Sequence, residues 1–527
     1  MVKIITPAEA ADLVKNGDTL ALGGFGAYCS PEALLCALEK KYEETAFPSR
    51  LTVVASTCTG SISYENHGAN RLAKPGLIET LFAGHIGYAK KISEMSANNE
   101  IATYILPLGV AVHMFRAVAS GRPGVLSHVG LNTYADPRLE GCRANEKAHS
   151  QHRSVSELIH VGGRELLYYP AIPIDICFIR GTYSDVNGNI SINHEALTGP
   201  ELEIAAATRN SGGIVIVQVE DIVQADMIMP RAMRIHHTLV DYVVKTPSPE
   251  LHRQSLVVPD YRPSLTGEVK CLTSAIRPLE MSIRKVIARR GAMELIPGSI
   301  VNLGVGVPSG IGAVANEEGI ANEITLSLEA GQIGGIPLEG SSFSASVNPE
   351  TINTICETFD YYDGGYLDMT FLGAAEIDRA GNVNVSRFGS NCPGPGGFIN
   401  ISQNTRKVFF LCTFTAGRSD IRIEGGKLDI VRDAEGIKFV NEVQQITFSA
   451  EYALKTGQEV YYITERAVFK LTKDGLCLLE IAPGVDLEKD ILDKMHFKPQ
   501  VAEKLKIMDR RIFQNGRMNL SRSGRAE

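Results

Sequence analysis

The sequence predicts two homologous open α/β domains in one chain, produced by an internal duplication. Three observations predict it. Three short apolar strands, each followed by a turn signal or a polar group, recur in the same order on both sides of a proline-rich middle. Strands that alternate with helical patterns imply parallel sheets covered by helices.

The first echo pairs Gly17-Asp18-Thr19-Leu20-Ala21-Leu22-Gly23-Gly24-Phe25-Gly26 with Gly298-Ser299-Ile300-Val301-Asn302-Leu303-Gly304-Val305-Gly306-Val307-Pro308. Each copy reads as a strand running into a glycine turn. After the left turn, Ser30 and Pro31 suit a helix N-cap and first helical position. Leu34, Leu35 and Leu38 then keep helical spacing. After the right turn Ile311, Val314 and Ala315 do the same, and Gly319 supplies a stop. The second echo, in order along the chain, pairs Leu51-Thr52-Val53-Val54-Ala55-Ser56 with Ile324-Thr325-Leu326-Ser327-Leu328-Glu329, so Ser56 stands where the other copy has Glu329. The third pairs Asp175-Ile176-Cys177-Phe178-Ile179 with Asp368-Met369-Thr370-Phe371-Leu372. From Asp175 to Gly188 and from Asp368 to Gly381 the step is the same.

These echoes divide the chain into an N-terminal half over residues 1–245, a linker over 246–278 and a C-terminal half over 279–527. Pro247, Pro249, Pro259, Pro263 and Pro278 mark the linker. Within the halves, Gly213-Ile214-Val215-Ile216-Val217 reads as a buried parallel strand. Leu279 to Glu294 reads as an amphipathic helix with Ile283, Val286 and Ile287 on one face. The segment from Tyr64 to His149 has no counterpart in the second half and reads as an insertion or a lid.

Composition narrows the function. A chain of 527 residues holds two or more full cores. A net charge of -8 argues against nucleic-acid binding, though a local site can still hold an anion. The 10 cysteines form no C-x-x-C pair, which argues against zinc ribbons and redox motifs and fits a reducing compartment. Asp12 and Lys15 interrupt the N-terminal region early, and no apolar run is long enough for a membrane span. The expectation is a cytoplasmic protein with neither nucleic-acid nor membrane partners.

Chemistry is expected at Thr325-Leu326-Ser327-Leu328-Glu329-Ala330-Gly331-Gln332-Ile333-Gly334-Gly335. A short strand ends at one carboxylate and enters a glycine-rich turn, the place where α/β folds put reactive groups. Small neighbours let a substrate approach the backbone. Gly304-Val305-Gly306 has a dinucleotide-binding look, but Gly310 falls one residue too late for that fingerprint. Cys58 and His85 read as core or surface residues without a nameable partner.

The stretch around Glu329, the Gly304-to-Pro308 loop and Gly394-Pro395-Gly396-Gly397-Phe398 together resemble class I CoA-transferases, in particular the fused single-chain propionate and acetate CoA-transferase group. The likeness runs on through Phe414-Thr415-Ala416-Gly417 and Tyr462-Ile463-Thr464-Glu465-Arg466-Ala467-Val468-Phe469. It implies transfer of CoA between short-chain carboxylic acids, with Glu329 as nucleophile and a glutamyl-CoA thioester as intermediate. It also implies that Gly304, Val305, Gly306, Val307, Pro308, Gly396 and Gly397 form loops at CoA and the oxyanion. Gly24, Phe25 and Gly26 would be on the substrate side. CoA is then a co-substrate, no cofactor or metal is expected, and the assembly is a homo-oligomer, a tetramer by resemblance. The rival readings are an acyl-CoA hydrolase with the same pocket, a non-catalytic CoA sensor and an NAD(P)-dependent oxidoreductase on the Gly304 loop.

Overall fold

A computed structural model describes residues 2–61, 65–225, 227–272 and 278–520. The first sheet has eight strands, all parallel. They are β1 (Lys3–Ile4), β2 (Thr19–Leu22), β3 (Leu51–Thr57), β4 (Ile78–His85), β5 (Ala102–Ile105), β6 (Ile176–Arg180), β7 (Ile214–Val219) and β8 (Tyr242–Lys245). Their order across the sheet is β1-β8-β7-β6-β2-β3-β4-β5. Strands such as β6 and β7 are apolar almost throughout because helices cover both faces of a parallel sheet.

The second sheet is built on β9 (Ile300–Leu303), β10 (Thr325–Ser327), β11 (Gln332–Ile333), β12 (Thr351–Ile352), β13 (Met369–Gly373), β14 (Lys407–Leu411), β15 (Glu459–Ile463), β16 (Ala467–Thr472), β17 (Gly475–Ile481) and β18 (Gln500–Ile507). The order is β12-β11-β10-β9-β13-β14-β15-β16-β17-β18. Its parallel centre, β10-β9-β13-β14-β15, repeats β3-β2-β6-β7-β8 of the first sheet.

The register makes the duplication explicit. Leu20 pairs with Ile176 as Val301 pairs with Met369, and Thr19 pairs with Thr52 as Ile300 pairs with Thr325. Counting along the strands, Ser56 is the structural counterpart of Glu329. The paired aspartates also play one part. Asp175 accepts the Thr19 N–H at 2.8 Å and Asp368 accepts the Ile300 N–H at 2.9 Å. Further on, Asp185 and Asp378 each accept two backbone N–H groups of the loop that follows.

Three expectations change. The segment 64–149 is no insertion or lid: β4 and β5 extend the first sheet, and the helix α1 (Leu108–Ala119) buries most of its residues against the core; Tyr64 itself lies outside the described residues. It has no counterpart because the second sheet continues past β10 through short antiparallel strands instead. Ser30 does not cap a helix. Its Oγ is drawn to Glu32 Oε1 at 2.9 Å, and Pro31 takes the N-cap position of Glu32–Thr45. The helix α2 spans only Ile283–Ala292, because Ser282 caps it by accepting the Lys285 N–H.

Helix α3 (Gly310–Glu318) stops at Gly319 in the left-handed region, φ 75°. Of the proline-rich middle, residues 273–277 lie outside the described residues. The part before them is packed, with Leu256 and Leu265 buried in the second core beside Phe25 and Tyr28 of the first half and Phe359 of the second. The two halves thus share apolar core, and their junction is where the site forms.

Candidate active site

Strand β10 delivers Glu329 two residues beyond its end. The chain then turns tightly, with the Gly331 N–H donating to Leu328 O at 3.0 Å. Gly331 is required here. It sits at φ 110°, and a Cβ would lie 2.1 Å from the Asn353 carbonyl oxygen. Beneath the turn, Asn302 Nδ2 donates to Ser327 O at 3.0 Å, and the Ser327 and Tyr362 hydroxyls are bonded at 2.9 Å. These contacts tie β9, β10 and the helix α4 (Ile355–Asp363) together under the carboxylate.

The Glu329 side chain is half-buried. Its Oε2 accepts the Gly397 N–H at 3.0 Å, and among the described residues nothing donates to Oε1. Burial raises the carboxyl to about 7, against the opposing pull of the Gly397 N–H. The glycine at 397 is a matter of space. Its φ is -79°, which any residue adopts, but a Cβ would fall 2.2 Å from Glu329 Oε2 and 3.1 Å from the Phe359 ring.

The turn that carries Gly397 belongs to the second half but is held by the first. Gly396 N–H donates to Gly84 O at 3.3 Å, Leu108 N–H to Gly396 O at 3.2 Å, and Ile86 N–H to Pro393 O at 2.8 Å. His85 lies in that seam and lines the crevice. Its Nδ1 accepts the Gly87 N–H at 2.9 Å, and burial pushes the imidazole down to about 4, so the ring is neutral. A Cβ on Gly396 would come within 4 Å of both Glu329 and His85. Sequence reasoning sets His85 aside, although it borders the carboxylate. It misses Tyr88, Phe359 and Ser344 altogether, since they lie on separate elements with no motif linking them. Cys58 is a buried core thiol, raised by burial to about 12.

The other expected residues separate. Gly304 to Pro308 follow β9, so the loop opens at the same strand ends as Glu329. Val305 is 53% exposed, and a Cβ on Gly306, φ 87°, would meet no atom within 4 Å. Pro308 is buried and Ser309 Oγ closes the loop on Gly306 O at 2.8 Å. In the first half, Gly24 N–H donates to Glu201 Oε1 at 3.2 Å, and Phe25 is core. Only Gly26 of that trio borders the crevice, where a Cβ would stand 3.6 Å from the Tyr88 ring.

A carboxylate beside one backbone donor, at the mouth of two glycine loops, can attack a carbonyl and have its own carbonyl oxygen held as charge develops there. The model of the "Coenzyme A transferase" family matches residues 4–246 and 284–432. The chain belongs to that family. A caffeate CoA-transferase of Acetobacterium woodii is 41% identical over 97% of this chain and 98% of its own. The acetate CoA-transferase YdiF of Escherichia coli K12 is 40% identical over 97% of this chain and 95% of its own. The crystal structure of the acyl-CoA transferase YdiF from E. coli O157:H7, as a thioester complex with CoA, superposes with a TM-score of 0.92, at 38% identity over 99% of this chain and 98% of that one. This protein is therefore a CoA-transferase with the two-domain α/β architecture of its relatives. Among the described residues no helix is long and apolar enough to cross a membrane.

Proposed function

We propose that this CoA-transferase moves CoA between short-chain carboxylic acids by a ping-pong reaction through a glutamyl-CoA thioester on Glu329. The observation that carries the reading is the Gly397 N–H fixed on Glu329 Oε2 while no described residue donates to Oε1. Oε1 attacks the thioester carbonyl, the carbon–sulfur bond breaks, and CoA leaves as thiolate from a mixed anhydride. The thiolate then attacks Glu329 Cδ. The oxyanion formed there sits on Oε2, already against a backbone donor, and the loss of one such donor typically costs about 3 to 4 kcal/mol. The acid departs and glutamyl-CoA remains. An acceptor acid runs the steps in reverse. Each intermediate stays activated, which a serine ester would not.

Gly304 to Pro308 open at the strand ends where the family's substrate must enter, which supports their assignment to the CoA side. Relatives are named for acetate and for caffeate, so family membership does not select the acid. The short-chain reading rests on the sequence resemblance, and a panel of acids tested as acceptors with acetyl-CoA and propionyl-CoA decides it. The ten free cysteines support a reducing, cytoplasmic setting. Homo-oligomerisation, as a tetramer, is part of this proposal and is read by light scattering.

The test of the mechanism is chemical. Incubation with acyl-CoA alone should add the mass of CoA to the peptide containing Glu329, and borohydride should reduce that thioester to an alcohol. Label on a cysteine instead refutes Glu329 as the carrier. Thiol release without an acceptor acid, at the rate of transfer, would favour a hydrolase.

A further inference from the structure

Beside His85, whose ring lies 5.5 Å from that of Tyr88, stand two hydroxyls that the covalent scheme leaves without a task. Ser344 is only 1% exposed, its backbone sits at φ 94°, and its Oγ meets no partner at full hydrogen-bond geometry, the neighbouring Tyr88 phenol interacting with it only weakly. A side chain in that backbone region is strained, and strain of this kind collects at functional sites. A buried hydroxyl so weakly paired is a further cost. Both features at one residue point to a group retained for a ligand.

The segment that carries Ser344 is firmly placed. Leu338 N–H donates to Ala345 O at 2.8 Å, the Gln332 amide oxygen accepts the Ser346 N–H, and Ser342 O accepts the Tyr28 hydroxyl at 2.7 Å from the other half. Beside it lies Tyr88. The Tyr88 phenol neighbours Ser344 and feels the charge of Glu329. Its backbone packs closely on Gly60, where a Cβ would lie 2.3 Å from the Tyr88 carbonyl oxygen. Gly26 keeps the space next to both open: a Cβ there would stand 3.6 Å from the Tyr88 ring and 3.9 Å from Ser344 Oγ.

We propose that the hydroxyls of Ser344 and Tyr88, one from each half, hold the carboxylate of the free acid. This rests on Glu329 being the nucleophile. When CoA opens the anhydride, its sulfur bonds to Glu329 Cδ and the bond from Cδ to the bridging oxygen breaks. The electron pair stays on that oxygen, so the acid leaves as a carboxylate and no proton moves. The Gly397 N–H is committed to Oε2 throughout. The departing charge needs other donors, and the two hydroxyls supply them. The acceptor acid enters through the same pair.

The experiment compares Ser344→Gly, Ser344→Ala and Tyr88→Phe with wild type, using acetate and propionate with their CoA esters. Each variant should raise KM for the free acid about tenfold or more, the scale of one hydrogen bond to a charged group. KM for acyl-CoA should stay as in wild type. Ser344→Gly also relieves the backbone at φ 94° and should melt no lower than wild type, so its lost acid affinity cannot come from unfolding. Unchanged acid KM in Ser344→Gly and Tyr88→Phe overturns the proposal, as does a parallel rise in both KM values. The CoA adduct on the Glu329 peptide is followed in every sample. Its absence in wild type refutes the Glu329 reading, while the KM comparison still decides the role of the hydroxyls.

Discussion

Replacing Glu329 with glutamine should abolish transfer and stabilise the protein at neutral pH. The side chains are nearly isosteric, and the amide oxygen can still accept the Gly397 N–H, so packing is kept. What changes is the charge. Burial raises the carboxyl from 4.5 to about 7. At 1.36 kcal/mol for each tenfold change in proton affinity, holding the ionised form in the folded state costs about 3 kcal/mol, less whatever solvent reaching the half-buried group recovers. The sign follows from proton uptake. Between 4.5 and about 7 the folded chain binds the proton more tightly than the unfolded chain, so wild-type stability falls as pH rises through that window. The cost is absent below 4.5 and complete above about 7. Glu329→Gln escapes it. Its melting temperature should equal that of wild type at about pH 4.5 and exceed it at about pH 8, with activity lost at both once deamidation back to Glu has been excluded. A melting difference of the same size at both pH values would refute the reasoning, because it would trace to packing and not to a buried charge.

Gly397→Ala should lower kcat/KM by at least about a hundredfold with the fold intact, because the new methyl would strike Glu329 Oε2 without straining the backbone; wild-type turnover with a normal melting curve would count against it. Glu329→Asp withdraws the carboxylate by roughly 1.5 Å, which should cost about a hundredfold in transfer, and the space it vacates should admit water, read as slow thiol release without acceptor acid. For wild type, kcat/KM should rise with pH to a plateau above about 7 as the empty enzyme's Glu329 ionises; a flat profile from about pH 5.5 to 8 would contradict the burial that sets it. Initial rates should give parallel double-reciprocal lines and survive dialysis against a chelator, and intersecting lines would show that both substrates must bind together.

The parallel centre of each sheet is legible in the sequence because it obeys local rules: apolar strands, glycine turns and the paired aspartates repeat with the chain, and the register confirms the pairing of Ser56 with Glu329. Glu329 is legible because strand and turn are contiguous. The sides of its crevice are not. Tyr88 comes from the loop after β4, Ser344 from a hairpin after β11, and Phe359 from a helix, so only tertiary packing brings them together. His85 escapes sequence reasoning for the same reason. Its importance lies in the Gly394–Gly397 turn packed on it, more than three hundred positions on in the sequence. The segment 64–149 misleads because a stretch without a counterpart looks like an insertion when duplication is the guide.

The duplication also explains why the site is asymmetric. Each half has a strand end facing a glycine loop, yet only in the second does the strand itself run out to a carboxylate; the first-half loop meets Glu201 from a helix start. In the first half Ser56 is fully buried and its Oγ turns to Gly24 O at 3.3 Å. That half gives up chemistry for placement. Its β4 end and the start of α1 hold the turn bearing Gly397 through three backbone hydrogen bonds, and its Tyr88 and Gly26 border the crevice. A single N–H donor is effective only if its position is fixed before the charge develops. A turn anchored only on its own domain would follow that domain's loop motions. Anchored on the neighbouring parallel sheet as well as on Phe359 and, through Asn400, on Asp363 of its own half, the Gly397 donor is held relative to Glu329 from both sides, and the two halves share apolar core from Phe25 to Phe359. The nucleophile and its donor are therefore both encoded in the second half, while the first half shares in setting the distance between them.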